Sequence, residues 1–276
     1  MPHAELEREP AVAGRFYPAD GEVLAEEVAE LLAEHPGGRA TAAPPLPALG
    51  VLAPHAGYAY SGAVAGATYA RVDVPDRVIV LCPNHTGAGQ RVAAWPGGGW
   101  ATPLGRVPVD PGMTREIVQA GLAVEDRAAH RLEHSLEVQL PFLQLRRPEV
   151  AIAALCLGPL SFDRCRELGL GLAEVARRRG ALVVASSDMS HYVPAAVARE
   201  KDGHALERLL ALDAPGLYEV VSREGITMCG FVPATVMVVA AVAQGAREAE
   251  LVRYGNSGET TGDDRSVVGY AGVVVS

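Results

Sequence analysis

Three histidines stand just past the ends of short apolar runs. Leu49 to His55 reads LGVLAPH, Arg77 to His85 reads RVIVLCPNH, and Ala181 to His191 reads ALVVASSDMSH. Each run has the composition of a buried strand that breaks into a small polar loop. Open α/β sheets bind ligands outside the carboxyl ends of their strands, so the pattern places His55, His85 and His191 on one rim. His55 and His85 read as metal ligands, because neutral imidazole suits Fe, Zn and Cu. Asp188 and His191 lie three apart in SSDMSH. A carboxylate at that spacing accepts from the imidazole and fixes its tautomer, which makes His191 a candidate acid–base. The competing reading is a helix cap by Ser187 or Asp188, with His191 merely nearby.

Cys229 precedes Gly230 at the start of an apolar helix, with Pro233 in the first turn. The helix dipole favours a thiolate there, the form that binds metals and attacks electrophiles. The alternative, a small buried apolar cysteine, suits Cys82, Cys156 and Cys165. His130, Glu133 and His134 spell H-x-x-E-H, the inverted zinc-peptidase string, which needs two histidines one turn apart on a helix. The flanking HSLEVQLPF is an ordinary amphipathic pattern, and His134 and Glu137 then line the rim or pair along a helix. His3, His35 and His204 sit in exposed contexts.

These residues need strands and helices in alternation to hold them. Strands are expected at about 48–53, 77–82, 150–157 and 181–186, with a last one at 267–275. Helices are expected at about 21–34, 111–120 (capped by Asp110), 161–179, 195–211, 214–222 and 231–244, and a small-residue helix ends near Arg71, able to pack close to the sheet. Residues 1–9 read as frayed, 10–18 as an edge strand or docked loop, 36–47 as a turn and linker, and 91–109 as a hairpin insertion. The result is an α/β fold in one domain over residues 1–276, with a central mostly parallel or mixed sheet flanked by helices.

Composition limits the function. A net charge of −9 argues against a general nucleic-acid binder. The one basic run, Arg177-Arg178-Arg179, suits a solvated helix C-terminus. No apolar run reaches membrane-spanning length. Four cysteines without a CxxC, and no signal peptide, point to a reduced cytoplasm.

The motifs together resemble those of a known family. RFYPAD near residue 15, PHAGYAYSG (54–62), PNHTG (83–87), EHSLEVQLPFL (133–143), SSDMSHY (186–192), the Cys229-Gly230 helix start and YGNSGETTGDDRSVVGYAG (254–272) resemble the Memo-like family, called AmmeMemoRadiSam system protein B in bacteria and archaea. The resemblance implies a LigB-like fold related to class III extradiol dioxygenases. It implies His55 and His85 as metal ligands, His191 beside Asp188 as acid–base, and Cys229 where the dioxygenases carry a glutamate ligand. It further implies Fe(II) as the first cofactor, with Cu or Zn as alternatives. A small phenolic-type substrate or a peptide is the implied ligand, and radical SAM and AMMECR-like proteins are the implied partners. A thiolate in place of a carboxylate softens the site and adds an oxidisable ligand. Two function classes follow: an oxygen-dependent enzyme, or a non-catalytic binding module with a vestigial site.

Overall fold

Uninterrupted aliphatic runs become the central strands of the computed structural model, which describes residues 6–33 and 45–276. In chain order the sheet contains β1 (Gly50–Ala53), β2 (Arg77–Pro83), β3 (Val92–Ala94), β4 (Val124–Glu125), β5 (Ala151–Leu157), β6 (Ala181–Ser186), β7 (His191–Val193), β8 (Ala249–Asn256) and β9 (Val267–Val275). Their spatial order is β7–β9–β1–β6–β2–β5–β3–β4, and β8 also pairs with β9. Strands β1, β6, β2 and β5 are parallel. β9 runs antiparallel to β1, and β3 antiparallel to β5. The sheet is therefore mixed around a parallel centre, and the α/β expectation holds.

Both faces of that centre are buried, as parallel strands require. On β2, Ile79 and Leu81 point to one core, and Val78, Val80 and Cys82 to the other. Helices α1 (Gly21–Ala33), α2 (Tyr58–Ala70) and α4 (Leu140–Arg146) cover the second face. Helices α3 (Pro111–Gln119), α5 (Phe162–Arg179), α6 (Ala195–Leu210), α7 (Ala214–Glu224) and α8 (Phe231–Gln244) cover the first. Local chemistry starts several of them. Asp110 accepts from the Gly112 and Met113 amides, both at 2.9 Å, and Ser161 caps α5 by accepting from the Arg164 amide. No helix among the described residues is long and apolar enough to cross a membrane.

Several local expectations change. Glu7–Arg8 is not frayed but pairs in parallel with Gly99–Thr102, and Arg8 is buried. Residues 10–18 form a docked loop closed by an Ala13–Tyr17 bridge. The region 91–109 divides: Gly99–Thr102 and Gly105–Pro108 make the hairpin, while β3 joins the main sheet. Helix α2 does pack close to the sheet, since a Cβ on Gly272 of β9 would meet the Thr68 side chain, and its small residues also admit α1: a Cβ on Gly66 would lie 2.3 Å from the Leu31 carbonyl oxygen. Arg178 and Arg179 both pair with Glu116 of α3. Residues 1–5 and 34–44, and with them His3, His35 and most of the expected linker, lie outside the described residues.

Candidate functional site

The strand order decides where the chemistry gathers. β6 lies between β1 and β2, all three parallel. Their carboxyl ends therefore release Pro54-His55, Ser187-Asp188 and Asn84-His85 side by side. Cys229 arrives from the other core, at the N-terminus of α8. Gly230 makes that approach possible, since a Cβ on it would lie 2.3 Å from the Ser186 carbonyl oxygen. Its amide donates to Ser187 Oγ at 2.9 Å. The outcome is a group of three donors, on His55, His85 and Cys229, all within 4.8 Å of one another.

Hydrogen bonds at the back of each imidazole aim its front. Ser186 Oγ spends its own proton on the Ser135 carbonyl at 2.6 Å, so it accepts from His55 Nδ1 at 2.9 Å. His55 Nε2 is left with its lone pair, 3.3 Å from Cys229 Sγ. Gln139 supports this from below: it donates to Ser186 Oγ and the Pro54 carbonyl, both at 2.9 Å, and accepts from the Tyr69 hydroxyl. Burial, followed by the neighbouring His134, His85 and His191, holds His55 well below the usual imidazole range, so it stays neutral.

His85 is oriented by a carboxylate. Glu133 accepts from the His85 amide at 2.6 Å and from Nδ1 at 2.9 Å, leaving Nε2 free. It also accepts from the Ser135 amide and hydroxyl, at 3.0 and 2.7 Å. Burial opposes ionisation of Glu133, but the bonds from His85 and Ser135 outweigh it and hold the carboxyl down at about 2. Burial lowers His85, yet Glu133 offsets this and the net direction is up. A carboxylate is one of the acceptors that commonly stand behind a metal-bound histidine.

Two expectations about acid–base chemistry change. Asp188 does not hydrogen-bond His191; its Oδ1 accepts from the His55 amide at 2.7 Å. His191 is fixed instead by Thr227, whose carbonyl accepts from Nδ1 at 2.9 Å and whose hydroxyl accepts from the amide at 2.7 Å. That ties the His191 loop to the chain two residues before Cys229 and leaves His191 Nε2 free. His191 remains near enough for its charge to act on Asp188 and His55. The helix-start argument for a Cys229 thiolate is also reversed. Burial and then the Asp188 carboxylate push the thiol up. A cation on the sulfur reverses that balance.

Burial also pushes the Asp188 carboxyl from 3.8 up to about 6. Between these values the folded, metal-free protein binds a proton that the unfolded chain does not. Asp188 thus costs stability progressively as pH rises from about 4 to about 6. Relative to the wild type, Asp188→Asn should gain urea resistance across that interval. A difference in unfolding midpoint that stays constant with pH would contradict the assignment.

The H-x-x-E-H string is not helical: residues 128–132 are turns, and Glu133 and His134 lie in irregular backbone. His130 points away, buried between Trp95 and Trp100 with ring centroids 5.9 and 5.8 Å distant. Its Nε2 donates to the Ala93 carbonyl. The peptidase geometry is absent. His134, by contrast, joins the site: its ring centroid lies 5.5 Å from that of His55 and 5.0 Å from that of His85. Phe16 packs on its edge at 4.8 Å.

Sequence reasoning underweighted this loop and missed Ser186, Gln139 and Arg8. One signal was present. Glu133, Ser135, Glu137 and Gln139 are polar at alternate positions, with Leu136 and Val138 between the last three, and all four are fully buried. Buried polar groups on that scale are retained only with partners.

A family model described as Memo-like protein matches residues 8–274. A MEMO1 family protein of Methanopyrus kandleri is 42% identical over 280 residues, covering 98% of this chain and 99% of its own. One from Aquifex aeolicus is 42% identical over 268 residues, covering 97% and 98%. Among solved structures, an uncharacterized protein from Escherichia coli K12 superposes with a TM-score of 0.55 at 15% identity, over 80% of this chain and 98% of that one. That last likeness concerns the fold alone.

Proposed function

The chain belongs to the Memo-like family, and from that premise we propose that His55, His85 and Cys229 bind one transition-metal ion in an oxygen-dependent enzyme of extradiol type. The observation that carries the reading is the convergence of two imidazoles and a thiol within 4.8 Å, each imidazole tied off at Nδ1 so that Nε2 faces inward.

The donor set suits such an ion. Two neutral nitrogens and one sulfur, with no fourth protein donor in the group, leave positions open for further ligands. Fe(II) is the ion proposed first; the thiolate makes Cu and Zn the alternatives. When bound, the ion supplies a Lewis-acidic, redox-capable centre. The protein's own groups do the rest. His55 and His85 stay aimed through Ser186 and Glu133. His191, with Nε2 free, holds and moves protons beside the ligands. Partial exposure of the His85 side chain, 33%, gives a small planar substrate of phenolic type a way in. Placement in the cytoplasm beside a radical SAM partner rests on the family resemblance alone.

The test is elemental analysis of protein purified without added metal or chelator, beside His55→Ala and Cys229→Ala. Near-stoichiometric Fe or Cu, lost in both variants, is expected. An O₂-uptake screen with phenols then tests turnover, which should disappear in His191→Ala. Absence of metal even after anaerobic Fe(II) or Cu(I) addition would sink the reading and leave a binding module without catalysis.

A further inference from the structure

Two members of the failed peptidase string, Glu133 and His134, find a different third partner. His85, Glu133 and His134 present one ligand atom each, all within 4.8 Å. Glu133 Oε1 is 2.9 Å from His85 Nδ1 and 3.5 Å from His134 Nδ1. A tetrahedral zinc ion with bonds of about 2.0–2.1 Å separates its ligand atoms by about 3.4 Å. The two separations from Glu133 Oε1 bracket that value, and the third, between the imidazole nitrogens, is no more than 4.8 Å. The His85 and His134 rings lie nearly parallel, at 20°. Their side chains are 33% and 23% exposed, which gives a cation an entry path.

We propose that His85 serves two cations, holding the first through Nε2 with His55 and Cys229 and a second, Zn²⁺-type cation through Nδ1 with Glu133 and His134. The first half of that statement rests on the function proposed above; the second half uses the other nitrogen of His85 and exchanges the Glu133 bond that orients the ring for a cation held by the same two atoms. Loading the second position replaces the Nδ1 proton of His85, which passes to solvent. Glu133 exchanges its bond to Nδ1 for the cation and keeps its bonds from Ser135 and the His85 amide. The nitrogen and oxygen donors suit Zn²⁺, whereas the thiol gives the first position its preference for softer ions.

Metal-stripped full-length protein should be titrated with Co²⁺, followed by its thiolate charge-transfer band, and dialysed against Zn²⁺ for stoichiometry. Wild type is expected to take up about two equivalents. His134→Ala and His134→Asn, checked by thermal melting, should each lose one equivalent and keep the thiolate band. Cys229→Ser should lose the band and keep the equivalent that depends on His134. Saturation of the wild type at one equivalent, unchanged by either His134 variant, would overturn the second position. Absence of the thiolate band alongside a His134-dependent equivalent would overturn the first position and leave the second standing.

Discussion

Arg8→Ala should destabilise the protein by about 3–5 kcal/mol, the usual cost of stranding one partner of a buried ion pair. Arg8 is 2% exposed and Glu137 is fully buried. The guanidinium donates to the Glu137 carboxylate and to the carbonyls of His130 (3.2 Å), Glu9 (2.9 Å) and Glu133. It also lies over the Trp100 ring, 4.6 Å from the centroid. Its loss leaves Glu137 with three neutral donors: the Ala11 and Val12 amides at 2.8 and 3.0 Å and the Tyr17 hydroxyl at 2.6 Å. Those bonds soften the loss and pull the cost toward the lower end of the range. Urea unfolding at neutral pH measures it. The double variant Arg8→Ala/Glu137→Gln should recover part of the loss, because the stranded charge is gone. Strict additivity of the two single variants would show that the pair does not act as a unit.

The same cluster reaches the candidate metal site. Arg8 holds the carbonyls of His130 and Glu133, and Glu137 holds the docked loop that puts Phe16 against His134. Arg8→Lys keeps the charge but not the fork of donors.

Glu133→Gln should weaken metal binding by His55, His85 and Cys229 about 10–100-fold, the usual effect of removing a carboxylate behind a ligand histidine. Four donors converge on Glu133, two from His85 and two from Ser135. An amide presents an N–H₂ group to some of them and removes the charge that makes His85 a stronger base. Competition against a chromophoric chelator with anaerobic Fe²⁺, run in the His134→Ala background so that only the first position is read, measures the affinity. Unchanged affinity with a lowered melting temperature would make Glu133 a purely structural residue.

Much of this architecture follows from local sequence. The aliphatic runs at 77–83, 151–157 and 181–186 admit few alternatives to buried strands, and Asp110 and Ser161 start helices through bonds to amides two and three residues away. These are short-range effects. The repeated step from strand to histidine loop also marked His55, His85 and the 186–191 segment as neighbours, because parallel strands all point the same way.

Tertiary structure alone decided which partner each side chain takes. Spacing suggested that Asp188 would orient His191, yet Asp188 turns to the His55 amide and Thr227, distant in sequence, takes His191. A helix start suggested a Cys229 thiolate, but desolvation beside Asp188 outweighs the dipole, and desolvation exists only once the chain has packed. Arg8 read as a frayed charge because no local pattern reveals a buried carboxylate 129 residues away. The chain's local chemistry determined its strands, its caps and the residue types of its candidate site; long-range burial determined their protonation and their hydrogen bonds, since both depend on which groups lose water together.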